Sequence, residues 1–457
     1  MDCRDLVKRL EPTLLLILAI LIWTSSLMWG QGQYSLSDLD ALLQQRQYIE
    51  LEHALVTATE ELPSLGRDYF QGVMANRVNH VQKSIRLLEP LIPTLLANSP
   101  VRAEFALCTL ADDYAKTFGY GDAARFYTEA NRVAEQQGKK SECGAAREAS
   151  RWGLLRNAPA QTVATSGPFT VKGKRDTLGL FQVPVASGNY SGSWIVDSGA
   201  NLSVVSRSVA NKLGLASSTG SETAQGIAGL SVSVHTAIIP EIRVGPAVLR
   251  SVAVLVVEDS ELSFSELDYR IEGCLGIPVL AALGKVTFYH DGRIDFSPGK
   301  IPAKETAFHN FFFDRFTPLI VADFGPKEQL FTIDTGAMGT ILSAEFYKAN
   351  RDIFNFFESV SLELSGAGGM LAVPAYQVSG LVATLGGSCA RIKDVSILLS
   401  AIRRPDEFYG DIGENALSSF SSFTLDFPAM HFRVNGGDPG DCSDSATPAP
   451  FEAMTIY

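Results

Sequence analysis

Metal chemistry has little to build on in this sequence. Its 457 residues hold six cysteines and six histidines. No two cysteines form a Cys-x-x-Cys pair, and His53, His80, His235, His290, His309 and His431 stand singly. That spacing excludes the usual zinc arrangements, so neither metal nor cofactor is expected. An excess of positive charge is also missing. The net charge of −12 argues against nucleic acid or an anionic membrane surface as the main partner. Long apolar runs are scarce as well. The stretch from Leu14 to Trp29 carries no charge, is interrupted by Thr24-Ser25-Ser26 and follows Arg4, Lys8 and Arg9. It falls somewhat short of the ~20 residues of a comfortable membrane span, and its basic flank keeps the N-terminus in the cytoplasm. Gly30-Gln31-Gly32 offers small residues for signal cleavage. Residues 1–32 are therefore expected to be a signal peptide or membrane anchor rather than a buried helix. Either role sends the rest out of the cytoplasm, to the periplasm or the medium, and an uncleaved segment makes the membrane a partner. In that compartment Cys108 with Cys143 and Cys389 with Cys442 are candidate disulfides, their connectivity left open.

Between residues 33 and 158 strand-type alternation is lacking, and Leu, Ala, Glu, Gln and Arg dominate. A helical domain is expected there, capped at Ser35 or Ser37 and punctuated by Pro63, Pro90, Pro93 and Pro100. The spacing of Leu107, Leu110, Ala111, Tyr114, Ala123, Tyr127 and Ala130 resembles a tetratricopeptide (TPR) repeat. Gly72, Ala75, Ser84, Leu88 and Leu91 follow that template less closely. An ordinary antiparallel helix bundle is the alternative. Two such units are fewer than a free-standing array needs, so this domain is expected to pack on the rest or to bind a protein partner.

Beyond residue 168 the composition turns to Val, Ile, Phe, Thr and Gly, with short apolar runs at Leu180 to Val185, Ser193 to Val196, Val232 to Ile239 and Val252 to Val257. Such runs bounded by turn residues mean an all-β body. One phrase occurs twice: Trp194-Ile195-Val196-Asp197-Ser198-Gly199-Ala200 and Phe331-Thr332-Ile333-Asp334-Thr335-Gly336-Ala337. The two aspartates stand 137 positions apart, and other features keep that offset: Ser206 with Ser343, Gly273 with Gly410, Gly276 with Gly413, Leu280 with Leu417, and Val286-Thr287-Phe288 with Phe423-Thr424-Leu425. An internal repeat in such register indicates two copies of one structural unit. The copies are expected at 168–299 and 303–435, joined by the linker around Phe296 to Pro302, with a loose tail at 436–457.

Two symmetry-related loops can each offer one carboxylate to a shared cleft. Like charges a few ångströms apart cannot both ionise, so the pair shares one proton. The ionised aspartate then acts as general base on a water, and the protonated one polarises a carbonyl. Ser198 and Thr335 are placed to bond across the axis and hold the loops rigid.

These paired Asp-Ser/Thr-Gly motifs resemble the pepsin/retropepsin superfamily of aspartic peptidases over residues 168 to 435. Each is followed by the family's apolar-apolar-Gly loop, here Cys274-Leu275-Gly276 and Asp411-Ile412-Gly413. The second departs from the pattern, because Asp411 replaces an apolar residue. The resemblance implies a multidomain chain, an α-helical TPR-like region followed by a bilobal all-β acid-protease fold. It implies peptide hydrolysis of a peptide or protein substrate, with Asp197 and Asp334 catalytic and Ser198, Gly199, Thr335 and Gly336 supporting the loops. Gly226, Ile227 and Gly229, with Gly366, Gly368 and Gly369, occupy the places of substrate-covering flaps. Both copies carry a glycine-rich flap candidate, no Tyr lies between Gly220 and Ile239, and Ala follows both triplets. The chain thus resembles two retropepsin units in tandem. A peptide-binding module without turnover and a TPR-type interaction scaffold are the alternatives.

Overall fold

The computed structural model describes residues 34–58, 62–216, 218, 222–226, 230–264, 267–299, 308–325, 327–354, 356–402, 408–437 and 449–450. The expected export segment 1–32, the flap residues Ile227 and Gly229, Cys3, Cys442, part of the linker and most of the tail lie outside them. Among the described residues no helix is long and apolar enough to cross a membrane. The chain divides into two compact units, residues 1–70 and 71–457.

In the first unit Ser35 is the cap of α1 (Leu36–Gln44). Its hydroxyl accepts from the Asp38 N–H at 3.2 Å, and the Asp38 carboxylate takes the Ser35 N–H at 2.8 Å. This reciprocal pair satisfies two otherwise orphaned donors. Helix α2 (Tyr48–Ala58) and the first half of α3 (Ser64–Arg77) follow.

In the second unit come α4 (Val81–Leu88), α5 (Ile92–Asn98), α6 (Pro100–Lys116), α7 (Tyr120–Gln136) and α8 (Ala145–Leu154). Pro93 and Pro100 sit in first turns, where a missing N–H is tolerated. Ala111, Ala115, Ala123 and Ala130 are fully buried and let α6 and α7 approach closely. Tyr114 stacks on Phe126 at 5.3 Å. The Cys108–Cys143 disulfide ties α6 to the segment before α8. These helices pack on the β body. Trp152 of α8 meets Phe316 at 5.7 Å, Lys116 lies over the Phe313 ring, and Arg151 pairs with Glu222 at 3.4 Å.

Among the described residues the β body holds two nine-stranded sheets, a five-stranded one and a two-stranded one. In the first large sheet the order runs Ala247–Val257, Ser203–Ser206, Gly273–Leu275, Tyr190–Val196, Phe181–Ser187, Ser231–Val244. Pairing of Ser231–Val244 with Ala247–Val257 closes that path on itself. The second large sheet repeats it with Ser388–Leu398, Thr340–Leu342, Gly410–Ile412, Glu328–Ile333, Thr317–Asp323 and Gly369–Leu385. Several strands outrun their apolar cores because only one face needs apolar residues. Ser231–Val244, for instance, alternates buried and exposed along its first half. Thr162–Ala164 pairs with Val248–Arg250 although it precedes residue 168. Its three side chains stay largely in solvent, so it carries no apolar signal.

The five-stranded sheet joins the copies. Lys285–Tyr289 runs antiparallel to Ser422–Asp426 with Thr287 opposite Thr424, two residues 137 positions apart. Their hydroxyls meet at 2.9 Å, so a local two-fold passes between them. Phe288 stacks on Phe423 at 4.6 Å, and Phe181 packs on both.

Candidate functional site

Each aspartate follows a strand ended by the same backbone bonds. The Asp197 N–H donates to the Leu275 carbonyl at 3.0 Å, and the Asp334 N–H to the Ile412 carbonyl at 3.0 Å. Gly276 N–H donates to the Ser203 hydroxyl, and Gly413 N–H to the Thr340 hydroxyl. Ser206 and Ser343, nine residues past each aspartate, cap the short helices Arg207–Lys212 and Ala344–Ala349. Asp411 fits without disturbing the loop. It pairs with Thr332 as Cys274 pairs with Ile195, because the strand uses only its backbone there.

The loops are interlocked. Ser198 N–H donates to the Thr335 hydroxyl at 3.0 Å, and Thr335 N–H donates to the Ser198 hydroxyl at 3.0 Å. Each hydroxyl donates onward at 2.7 Å, Ser198 to the Ile333 carbonyl and Thr335 to the Val196 carbonyl. Both side chains are fully buried. This exchange draws the two turns together until each glycine abuts the opposite carboxyl. The Asp334 carboxyl stands where a Gly199 side chain would begin, and the Asp197 carboxyl where a Gly336 side chain would begin. Only glycine permits that approach.

Asp197 is half-buried, open to solvent on one side and otherwise enclosed. The enclosure raises its pKa above the usual carboxylate value, since burial disfavours the charged form. Donors oppose this: the N–H groups of Gly199 and Ala200 at 2.9 and 3.0 Å, the Cys274 thiol, and Asp334. Asp334 in turn accepts from the Gly336 N–H at 2.8 Å. Two carboxyls in contact can hold one proton between them, an arrangement able to act as base and acid on a water.

The glycine-rich segments form two hairpins. In the first, Gln225 pairs with Ser231, and Gly226 N–H donates to the Leu230 carbonyl at 2.9 Å. In the second, Gly366 pairs with Gly369, and Gly368 takes a φ of +97° that side chains disfavour. The tips touch. Gly226 abuts the Ala367 carbonyl, and Leu230 lies against Gly368. Leu230 joins the apolar cluster of Leu364, Val373, Ala375 and Leu398, while Ala367 joins that of Val232, Val234, Val257 and Leu262.

The structure thus brings together Asp197, Ser198, Gly199, Asp334, Thr335 and Gly336 in one group, and Gly226 with Gly366, Gly368 and Gly369 in another. Two contacts had no sequence signal. The Cys274 thiol reaches Asp197 from a position read only as an apolar loop residue. Arg175 reaches Glu414 at 2.7 Å, joining the first large sheet to the short helix Glu414–Leu417. Among the described residues no group of three His, Cys, Asp or Glu side chains is placed to hold a metal.

A family model described as aspartyl protease matches residues 183–279, less than a quarter of the chain, and takes in Asp197 but not Asp334. No curated protein matches the chain. Among solved structures, a retropepsin-like aspartic protease from Rickettsia conorii matches at 16% identity. That match covers 31% of this chain and 95% of the other, with a TM-score of 0.22, too low to bear on the site. Residues 183–279 are therefore similar to the aspartyl protease family.

Proposed function

We propose that the chain is an exported aspartic endopeptidase in which Asp197 and Asp334 act together on one water. Residues 168–299 and 303–435 are read as two retropepsin-like lobes in tandem, with the helices before them a TPR-like accessory region. The observation that carries the reading is the reciprocal Ser198–Thr335 exchange, which sets the two carboxyls against each other. A lone strand-ending Asp-Thr-Gly turn has no use for it. The ionised carboxyl takes a proton from water as the water oxygen attacks a peptide carbonyl, and the protonated carboxyl donates to the oxygen that becomes negative. The touching hairpins are read as flaps that close over an extended peptide and must part to admit it. Export is supported by the Cys108–Cys143 disulfide, which persists in oxidising compartments.

The test is digestion of a peptide library by the chain lacking residues 1–32, with and without a statine-type inhibitor. Cleavage blocked by the inhibitor is expected. Asp197→Asn and Asp334→Asn should each lower kcat by at least about a thousandfold with folding retained, because each carboxyl has its own role in one step. Cleavage that survives either substitution, with contaminating protease excluded, would overturn the paired reading.

A further inference from the structure

The two glycine-rich hairpins meet at their tips but are held differently at their bases. The first pairs Glu222–Gln225 with Ser231–Val234, four residues a side. The second pairs Val360–Gly366 with Gly369–Ala375, seven a side. Both pack apolar side chains inward, Ala224 and Val234 in the first, Leu364 and Val373 in the second. The longer arm stands clear at its base, where Glu358, Ser359 and Val360 are exposed. The shorter arm is gripped there by the helical region. Arg151 of α8 pairs with Glu222 at 3.4 Å, the two side chains being only 15% and 9% exposed. Among the described residues neither Glu222 oxygen accepts an aligned hydrogen bond. The guanidinium is thus what offsets that carboxylate, and a buried charge stripped of its partner is costly. Arg151 also donates to both Glu148 oxygens at 3.1 Å, with Arg147 beside them, so it is fixed on its helix. The helix is itself braced against both copies. Trp152 stacks on Tyr120 of α7 at 5.5 Å and meets Phe316 of the second copy at 5.7 Å. Beyond α8, the Gln161 amide donates to the Pro278 carbonyl of the first copy at 3.0 Å.

Resting on the flap reading above, we propose that Arg151 is a positioning residue which, through Glu222, pins the first hairpin to α8, so that a peptide enters by movement of the second hairpin. The two flaps then have unequal tasks. The first is a fixed wall set by the helical region, and the second is the arm that opens. The helical region thereby belongs to the cleft and acts on it through one flap only.

The experiment compares the full chain with its Arg151→Gln, Arg151→Lys, Glu222→Gln and Arg151→Gln/Glu222→Gln variants. Backbone amide exchange is followed in Glu222–Gln225 and Val360–Gly366, and kcat and KM are measured on a peptide taken from the library. In the parent the first strand should exchange more slowly than the second. Arg151→Gln and Glu222→Gln should each speed the first by about tenfold and leave the second unchanged, since only the local opening of one hairpin becomes easier. KM should rise about three- to tenfold with kcat within about twofold, because a loosened wall weakens binding rather than the chemical step. The double variant should be no worse than Arg151→Gln, the mark of two residues acting through one contact. Arg151→Lys, which keeps the charge, should stay within about threefold of the parent. Unchanged exchange in the first strand of both single Gln variants overturns the proposal, as does equal loosening of the second strand. A lowered melting temperature with exchange and KM at parental values would make Arg151 a docking residue only and overturns it too. Glu222→Gln removes a charge at constant size, so it carries the same readings where Arg151→Gln fails to fold. Exchange is read without substrate. A parent that cleaves nothing therefore sinks the peptidase reading, whereas a first hairpin that stays slow in the Gln variants of a cleaving chain sinks this one.

Discussion

The two large sheets share their strand order and the bonds that end each aspartate strand, yet they treat the surface between them differently. Arg175 and Glu414 form a largely buried ion pair joining the first sheet to the short helix Glu414–Leu417 that follows a strand of the second. The positions that the 137-residue offset relates to them are Phe312 and Ile277, both apolar and buried. The same asymmetry separates Cys274 from Asp411. What repeats is backbone geometry: glycines at close approaches, strand pairing, hydroxyl caps. What differs is side-chain chemistry at places where the backbone alone holds the loop. The comparison teaches that the scaffold tolerates unequal halves as long as the interlocked turns are kept.

The sharpest way to break the comparison is to attack what both halves share. Ser198→Ala and Thr335→Val each delete a buried hydroxyl that serves one N–H and one carbonyl. Each should lower stability by about 2–4 kcal/mol, since unpaired buried groups are expensive, and cut kcat/KM by roughly a hundredfold or more as the carboxyls lose their fixed geometry. Urea unfolding and steady-state kinetics should give similar losses for the two. A silent substitution in either half would show that the interlock is one-sided.

A second test uses what the halves do not share. Burial raises the Glu414 pKa to about 7, with Arg175 opposing the shift and Asp176 adding slightly to it. The folded state therefore binds a proton that the unfolded chain, with its carboxyl near 4.5, releases. Stability is greatest below that lower value and falls as pH rises through 7, by about 3 kcal/mol for a shift of this size. Asp113, raised to about 7 chiefly by its burial, adds a fall in the same direction. The melting temperature should be higher at pH 5 than at pH 8, and Glu414→Gln should narrow that gap. A gap of unchanged width would mean that Glu414 does not titrate in this window.

The smallest effect sharpens the comparison at Ala200 and Ala337, where the halves are alike and neither side chain can donate. Without such a donor the paired carboxyls should titrate high, giving a bell-shaped profile with an optimum at roughly pH 4 to 6.5. Ala200→Ser should move the acidic limb downward by a few tenths of a unit, because a hydroxyl could add to the Ala200 N–H already on Asp197. An optimum near pH 2 in the parent would show that other groups set these values.

Much of this was legible in the chain itself. The Asp-Ser/Thr-Gly phrases, the glycine pairs and the serines nine residues on recur at one offset, and each marks a local backbone requirement that residue type alone expresses. Ser35 as a helix cap and the glycine-rich hairpins were readable for the same reason. The Ser198–Thr335 exchange was readable because the repeat itself relates the two residues, but contacts outside that symmetry were not. His80, His309 and His431 look scattered, yet their rings neighbour one another at 6.2 and 5.9 Å. Arg175 and Glu414, 239 positions apart, give no sign of each other, and Cys274 reads as one more apolar loop residue. The sequence by itself determined the repeated unit and the two aspartates, because turns and strand ends follow from the residues that form them. Only the tertiary structure decided which side chains outside the repeated motifs meet between distant segments, because that depends on how two separately specified surfaces pack, and pairing between surfaces leaves no periodic trace in either.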